Sequence, residues 1–182
     1  MEMAGERLIV ASREAVWEAL NNPETLKACI PGCEEIDQQS PTEMTAKAKV
    51  KIGPMSAKFS GKVLLSDLDP PNGYRISGEG QGGAAGFAKG GADVRLEESD
   101  GGTLLIYTVN AQVGGKMAQI GARLIDATAK SLADQFFTRF AEHVGAPAEE
   151  PEAAEAEDGK PGMFGRMKGF FGGRKDAKSD AE

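Results

Sequence analysis

The chain has 182 residues, with 21 Lys and Arg against 28 Asp and Glu, and a formal net charge of −7. Its length fits one ordinary domain with some additional chain, and it contains no apolar run of about 18 residues that would form a membrane-spanning helix. The acidic balance argues against general nucleic-acid binding, which needs a basic face, and two Cys with a single His are too few for a disulfide framework or a zinc site of several such ligands.

The chain begins with a predicted strand and two short helices. Glu2–Val10 has strand character and lacks the basic start and apolar core of a secretory signal, so we expect a cytoplasmic protein. Ser12 is a favourable N-cap for a helix over Arg13–Leu20. After that helix, Pro23 is suited to the first position of a second short helix, which we place up to Ala28.

A run of strands separated by turns is predicted between Glu34 and Gln112. Apolar residues alternate with Thr and Lys over 44–52, which is typical of a half-buried strand with one solvated face. Asp100-Gly101-Gly102 is a strong hairpin signal. Because strands joined by short turns pair with their neighbours, we expect an antiparallel sheet. The further predicted strands are Met55–Leu68, Tyr74–Gln81, Phe87–Glu98 and Thr103–Val113.

The period of the apolar residues changes after the last strand. Between Lys116 and Val144 they recur every three or four positions, with charged residues off that stripe, which predicts one amphipathic helix of about eight turns. This helix is the only predicted element large enough to cover the sheet. The fold class is therefore α+β, a helix-grip arrangement in which a curved antiparallel sheet wraps around a long C-terminal helix, followed by a flexible tail. Such a sheet tends to leave a cavity beneath the helix, the usual position of a binding site.

The composition changes after Val144, where we place the end of the domain. Residues 147–158 contain six acids, no bases and no large apolar side chain, so they cannot bury enough surface to offset chain entropy. Residues 160–178 contain six bases against one acid. We therefore predict a domain over 1–145, a flexible acidic linker over 146–161, a basic-aromatic segment over 162–175 and a disordered end over 176–182.

The basic-aromatic segment is predicted to bind a membrane surface. On a helix its large apolar residues fall within an arc of about 120°, flanked by Arg and Lys whose charges can reach lipid headgroups. Residues 163–173 would span only about 16 Å, so the segment would lie in the interface and would not cross the bilayer. Two alternatives stay open: a segment that folds onto a protein partner, and an additional helix packed on the domain. The residues assigned to membrane binding are Met163, Phe164, Arg166, Met167, Lys168, Phe170 and Phe171.

Three further motifs have weaker interpretations. Gly78–Gly83 fits G-x-G-x-x-G, but strand character resumes after it, so we expect a bend between two strands and not a dinucleotide site. Cys29 and Cys33 flank a Pro-Gly turn at a spacing that differs from a redox motif, and we interpret them as small apolar residues. His143 is interpreted as a solvated or helix-capping residue. With no nucleophile, metal-ligand or phosphate-loop signature, we expect no catalytic site, no metal and no tightly bound cofactor.

The predicted cavity would be lined by apolar and aromatic side chains. Trp17, Tyr74 and Tyr107 matter most, because each combines an apolar ring with one polar group. A quinone ring needs such surroundings, namely flat apolar walls and one or two donors for its carbonyl oxygens. Ordinary core packing is the alternative for each candidate. The full set of candidates is Trp17, Leu20, Leu26, Phe59, Tyr74, Phe87, Tyr107, Met117, Ile120 and Leu124.

Five sequence motifs resemble those of a known family. They are Leu26–Cys33, Lys51–Pro54, Phe59–Val63, Gly86–Gly90 and Val113–Gly121. Their order resembles the START-like (polyketide cyclase, or SRPBCC) superfamily and, within it, the family of the carbon monoxide dehydrogenase G subunit, over about residues 1–144. The resemblance implies a non-catalytic accessory protein that associates with a molybdenum hydroxylase, brings it to the cytoplasmic membrane and carries a hydrophobic molecule.

The leading hypothesis is therefore an accessory protein tethered to the inner face of the cell membrane. Its partners would be a molybdenum hydroxylase (carbon monoxide dehydrogenase), the anionic membrane surface and a lipophilic ligand such as menaquinone or ubiquinone, because a soluble oxidoreductase must pass electrons to a carrier insoluble in water. The alternatives are a START-like cyclase or hydrolase acting on a small hydrophobic substrate, and a recruitment adaptor with a collapsed core. A large dry cavity favours the carrier, a polar cavity the enzyme and a filled core the adaptor.

Overall fold

Seven strands and three α-helices follow one another in residues 1–145, the part of the chain that the computed structural model describes. The predicted linker, membrane-binding segment and end, from residue 146 onward, lie outside the described residues. In chain order the elements are β1 (Glu2–Ile9), α1 (Arg13–Leu20), α2 (Pro23–Cys29), β2 (Cys33–Ser40), β3 (Glu43–Ile52), β4 (Met55–Asp69), β5 (Gly73–Gln81), β6 (Phe87–Ser99), β7 (Gly102–Gly114) and α3 (Ala122–Gly145), with short 3₁₀ helices at Gly83–Ala85 and Gly115–Ile120.

The strands form one antiparallel sheet in the order β1-β7-β6-β5-β4-β3-β2. Strands β2 to β6 each pair with the next strand along the chain, as the short turns predicted. Strand β1 pairs with β7, in a register that places Gly5 opposite Tyr107. Helices α1 and α2 connect the two edge strands, β1 and β2, so the chain crosses one end of the sheet before the meander begins.

The two short helices begin where their capping residues predicted. The Ser12 hydroxyl oxygen accepts a hydrogen bond from the backbone N–H of Ala15, at 3.2 Å. The Asn22 side-chain oxygen accepts one from the N–H of Glu24, at 2.9 Å, and Pro23 occupies the first turn of α2. Both caps satisfy N–H groups that have no partner within the helix.

The predicted start of the long helix is wrong. A continuous helix from Lys116 was expected, but Gly115–Ile120 forms a 3₁₀ helix and α3 begins only at Ala122, so α3 has 24 residues. The backbone at Gly121 has φ +104°, a conformation that side chains other than glycine rarely adopt, and this conformation separates the two helices. The helical spacing of apolar residues in the sequence continues across Gly121, because this spacing depends only on which residues are apolar and not on the backbone conformation.

The core is tightest around the C-terminal part of α3. Phe140 of α3 is fully buried, together with Ile9 of β1, Val16 of α1 and Leu105 of β7. Toward the start of the helix, Leu124 is 37% exposed. The helix is thus anchored on the sheet near its end, while its earlier turns pack less closely. No helix of the described part of the chain is long and apolar enough to cross a membrane.

Candidate ligand-binding site

A cavity of about 350 Å³ lies between the sheet and α3. This volume is at the lower end of the range for small-molecule sites, ~300–1,000 Å³. All seven strands contribute to the wall, together with the ends of α1 and α2 and the middle of α3. The lining residues are Met3, Leu20, Leu26, Ile30, Ile36, Met44, Ala46, Val63, Leu65, Tyr74, Ile76, Ala92, Val94, Leu105, Tyr107, Val109, Ala133, Phe136 and Phe137.

The period of two along each strand brings these side chains to one face. Residues directly opposite each other in an antiparallel pair share a face, and the register pairs Met44 with Val63, and Ala92 with Val109. Small side chains account for the space, because Ala92 in the sheet faces the same cavity as Ala133 on the helix. Larger residues at such positions would close the gap between the layers.

Two tyrosine hydroxyls are the only polar side-chain groups among the lining residues from the described chain. Tyr74 is 6% exposed, and burial raises the pKa of its hydroxyl further above neutral pH, where the hydroxyl is protonated and able to donate in any case. Neither Tyr74 nor Tyr107 makes a side-chain hydrogen bond to another group in residues 1–145. Within residues 1–145 both hydroxyls are thus available to donate a hydrogen bond to an acceptor oxygen of a ligand in the cavity.

Aromatic contacts fix both tyrosine rings. The ring of Trp17 meets the ring of Tyr74 edge-on, with centroids 5.3 Å apart and planes at 87°. The ring of Tyr107 stacks on Phe137 of α3, with centroids 5.1 Å apart and planes at 24°. The Arg7 guanidinium lies 5.5 Å from the Phe137 ring centroid and forms an ion pair with Asp134 of the same helix. The cavity wall is thus held in place from the sheet, from α1 and from α3.

Half of the sequence candidates lie at the cavity. Leu20, Leu26, Tyr74 and Tyr107 line it, and Trp17 packs directly behind Tyr74. These five come together from α1, α2 and two strands of the sheet. Of the three aromatic residues with a polar group, Tyr74 and Tyr107 thus line the same cavity, and Trp17 contacts Tyr74.

The other five candidates are placed elsewhere in the described structure, and none of them is among the residues that line the cavity. The ring of Phe59 packs over Gly82, and the ring of Phe87 packs over Gly114. A Cβ added at either glycine would collide with the ring above it. Leu124 packs on the β3–β4 turn at Gly53. Met117 is buried and Ile120 half-buried in the 3₁₀ helix that replaces the predicted first turns of α3.

Sequence reasoning missed the helical side of the cavity. Ala133, Phe136 and Phe137 line it, yet none of them was among the candidates. The signal was available, since these residues lie on the apolar stripe of α3 that faces the sheet. The alternation of apolar and polar residues along the strands also indicates further inward positions. Ile76, for example, lies two residues after Tyr74 and therefore on the same face of β5.

The remaining motifs have structural roles. Gly78–Gly83 forms the end of β5 and the connection to β6, as predicted. Cys29 is 1% exposed and Cys33 partly exposed, and burial raises the pKa of both thiols. The Nε2 atom of His143 lies 3.4 Å from the Thr25 hydroxyl oxygen, which joins α3 to α2. Within residues 1–145 no cluster of three or more potential metal ligands occurs.

A curved antiparallel sheet that holds a C-terminal helix over an apolar cavity defines the class of START-like, helix-grip proteins, and the predicted fold class is confirmed for residues 1–145. A conserved protein from Geobacillus kaustophilus has the same fold with a TM-score of 0.74 and 30% identity, over 79% of this chain and 95% of that chain. A family model that describes the G subunit of carbon monoxide dehydrogenase (CoxG) matches residues 5–145. The chain belongs to the CoxG family, as its motifs predicted.

More distant structures show the fold alone. A protein from Thermus thermophilus has a TM-score of 0.61 and 14% identity, over 81% of this chain and 99% of that chain. The Zhui aromatase/cyclase from Streptomyces sp. R1128 has a TM-score of 0.56 and 14% identity, over 79% of this chain and 93% of that chain. A sequence search among curated proteins gave no match.

Proposed function

We propose that this protein is a membrane-tethered accessory protein of carbon monoxide dehydrogenase, a molybdenum hydroxylase, and that it carries a respiratory quinone in its cavity. Membership of the CoxG family supports the enzyme partner. The single observation that carries the ligand proposal is the cavity itself: a space of about 350 Å³ with apolar walls and two tyrosine hydroxyls.

The chemistry of a quinone matches these walls. Its ring is flat and apolar, and its two carbonyl oxygens accept hydrogen bonds without donating any. The Tyr74 hydroxyl has no partner within residues 1–145 and stays protonated at neutral pH, so it is suited to donate to one carbonyl. Menaquinone and ubiquinone both have this head and an apolar chain, and both are too insoluble to reach a soluble enzyme without a carrier.

The tether is assigned to the C-terminal segment. Its bases and aromatic residues, including Phe170 and Phe171, lie outside the described residues, and their composition supports the proposal. Attraction of Lys and Arg to an anionic leaflet adds ~1 kcal/mol per charge. The protein would thus act at the inner face of the cell membrane, where both the quinone and the enzyme are accessible.

Two measurements test the carrier role. The full-length protein is incubated with a quinone-containing lipid extract, repurified and analysed by mass spectrometry for bound quinone. In parallel, a short-chain quinone is titrated while the fluorescence of Trp17, the single tryptophan, is recorded. We expect retained quinone and saturable quenching, because Trp17 contacts Tyr74 in the cavity wall.

The control for both measurements is Phe87→Leu. Phe87 is an aromatic strand residue that does not line the cavity, so both properties should persist in this variant. A wild-type protein that retains no quinone and shows no saturation would refute the carrier role.

The tether is tested by flotation with liposomes. The full-length protein is compared with a chain that ends at Gly145, where the described domain ends. We expect only the full-length protein to float efficiently with anionic liposomes. Equal flotation of both would remove the C-terminal anchor from the proposal.

A START-like cyclase or hydrolase is the candidate from another class, and the similarity to an aromatase/cyclase fold is the observation in its favour. Catalysis needs an acid, base or nucleophile within reach of the substrate, and the lining side chains of the described chain offer the hydroxyls of Tyr74 and Tyr107. The mass spectrometry separates the two classes. A ligand recovered unchanged after long incubation supports the carrier, and conversion with time supports the enzyme.

A further inference from the structure

The β3–β4 hairpin extends beyond the rest of the sheet. The last pair between β4 and β5 joins Ser60 to Gln81, and the first pair between β2 and β3 joins Cys33 to Ala48. Residues 49–52 and 55–58 therefore pair only with each other as strands. At about 3.4 Å per residue, they project by about 14 Å. We call residues 49–58 the lysine ribbon.

The lysine ribbon has one apolar and one basic face. Val50 and Ile52 alternate with exposed lysines, and Ile52 is 8% exposed. Leu124 of α3 supports the turn, because a Cβ at Gly53 would lie 2.8 Å from its Cδ2 atom. The opposite face contains Lys49, Lys51 and Lys58 and is exposed to solvent.

Two of the three lysines of this face have no ion-pair partner within the described chain. Lys49 lies directly opposite Lys58, and like charges in that position destabilise a strand pair. Lys58 has Glu34 at 3.5 Å, in a pair whose lysine side chain is 71% exposed. Lys49 and Lys51 form no ion pair with any residue of 1–145. A chain of net charge −7 thus presents a concentrated positive surface at a projecting end.

The same strands are neutralised closer to the sheet. The Nζ atom of Lys47 lies 2.8 Å from the carboxylate of Glu35, and that of Lys62 lies 2.7 Å from the carboxylate of Glu43. The unbalanced lysines are therefore confined to the ribbon and are not a general property of β3 and β4.

We propose that the lysine ribbon docks the domain itself on the anionic phospholipid headgroups of a bilayer. This proposal rests on the proposed function and adds a second contact to the C-terminal segment. Exposed Pro54 and half-buried Met55 at the tip can enter the headgroup layer while the lysines contact phosphates. The apolar face of the ribbon continues the inward row of β3, in which Met44 and Ala46 line the cavity. Docking by the ribbon therefore brings the end of the sheet that continues the cavity-facing row of β3 close to the source of lipophilic molecules.

The test compares lysine reactivity in the full-length protein with and without vesicles. Vesicles of phosphatidylcholine with phosphatidylglycerol are compared with vesicles of phosphatidylcholine alone, and acylation of each lysine is measured by mass spectrometry. We expect Lys49 and Lys51 to react at least about three-fold more slowly on the anionic vesicles, while Lys89, exposed on the outer face of β6, is unchanged. Unchanged reactivity of Lys49 and Lys51 in vesicle-bound protein would overturn the proposal.

Paired substitutions give an independent measurement. We expect K49Q together with K51Q to weaken vesicle binding by about 25-fold, roughly five-fold for each charge. The matched control, K62Q together with K89Q, removes the same charge from the sheet and should change binding by less than about three-fold. An equal loss in both variants would indicate diffuse attraction and overturn the ribbon as a defined surface.

The remaining outcomes separate the ribbon from the tether. Binding that depends on Phe170 and Phe171, with no protection of Lys49 or Lys51, keeps the tether and refutes the ribbon. No vesicle binding at all refutes both. Protection of Lys49 and Lys51 by added carbon monoxide dehydrogenase, and not by vesicles, would identify an acidic protein surface as the partner and overturn the lipid assignment.

Discussion

The ring of Tyr107 occupies the space above Gly5, its cross-strand neighbour on β1. A Cβ at residue 5 would lie 2.5 Å from the Tyr107 hydroxyl oxygen and 2.7 Å from its Cζ atom, closer than such atoms can approach. Phe137 of α3 stacks on the same ring. Glycine at position 5 thus allows Tyr107 to lie between an edge strand and the helix, where it forms part of the cavity wall.

Substitution of Gly5 by Ala should destabilise the domain. The added methyl group forces the Tyr107 ring from its position, and such overpacking typically costs about 1–3 kcal/mol of unfolding free energy. The matched control is Gly80→Ala, also within a strand, where the nearest atom to an added Cβ is 3.9 Å away. We expect that control to change stability by less than about 1 kcal/mol. Urea unfolding measures both, and equal effects would show that the Tyr107 contact does not constrain residue 5.

Filling the cavity from the helix should abolish ligand binding without unfolding the domain. Ala133→Phe places a ring in the space that Ala133 now leaves open. We expect quinone affinity, measured by quenching of Trp17 fluorescence, to fall on the order of ten-fold or more, equivalent to ~1.4 kcal/mol. Ala127→Phe, on the exposed side of the same helix, is the control. Unchanged affinity in Ala133→Phe would place the ligand elsewhere.

The sequence was most informative where structure depends on near neighbours. Ser12 and Pro23 fixed the starts of α1 and α2, because capping involves atoms only two or three residues apart. The alternation along β3 identified its buried face for the same reason. The start of α3 could not be predicted from near neighbours. A glycine at position 121 permits a positive φ, but the packing of the complete fold determines whether the backbone adopts it.

The cavity shows the same limit. Tyr74 and Tyr107 line the space beneath the helix, and the strand period predicts the face of the sheet on which each side chain lies. Phe59 and Phe87 were also aromatic strand residues, yet each packs over a glycine toward the other end of the sheet. The period of two along a strand predicts the face on which a side chain lies. It does not predict at which position along the strands the sheet and α3 are separated by a cavity. That depends on register and on where α3 makes its firm contacts, at Phe140 above all.

The two thiols should differ in reactivity although both are weakly ionised. Burial raises the pKa of Cys29 and of Cys33, so few thiolates form at neutral pH. Cys29 is 1% exposed, whereas Cys33 is partly exposed at the start of β2. We expect native-state alkylation of Cys33 to be at least about ten-fold faster, with Cys29 reacting only on unfolding. Cys29→Ser and Cys33→Ser variants assign the two rates by mass spectrometry, and comparable rates would contradict the buried position of Cys29.

Tyr74 should make stability depend on alkaline pH. Burial raises its pKa in the folded protein above the ordinary value of about 10. Below that value both states are protonated, and the contribution of the buried neutral hydroxyl is complete. As the pH rises further, the unfolded state loses its proton first while native Tyr74 keeps it, so this contribution to stability falls by up to about 1.4 kcal/mol per pH unit.

Comparison with Tyr74→Phe isolates this effect. The variant has no such group. We therefore expect the wild type to lose stability relative to Tyr74→Phe as the pH rises from about 10 to about 11. Val94→Ala, another change in the cavity wall but without an ionisable group, should show a constant difference from wild type over the same interval. A constant difference for Tyr74→Phe as well would mean that the native Tyr74 hydroxyl titrates like an exposed one, and the argument for a buried donor in the cavity would then fail.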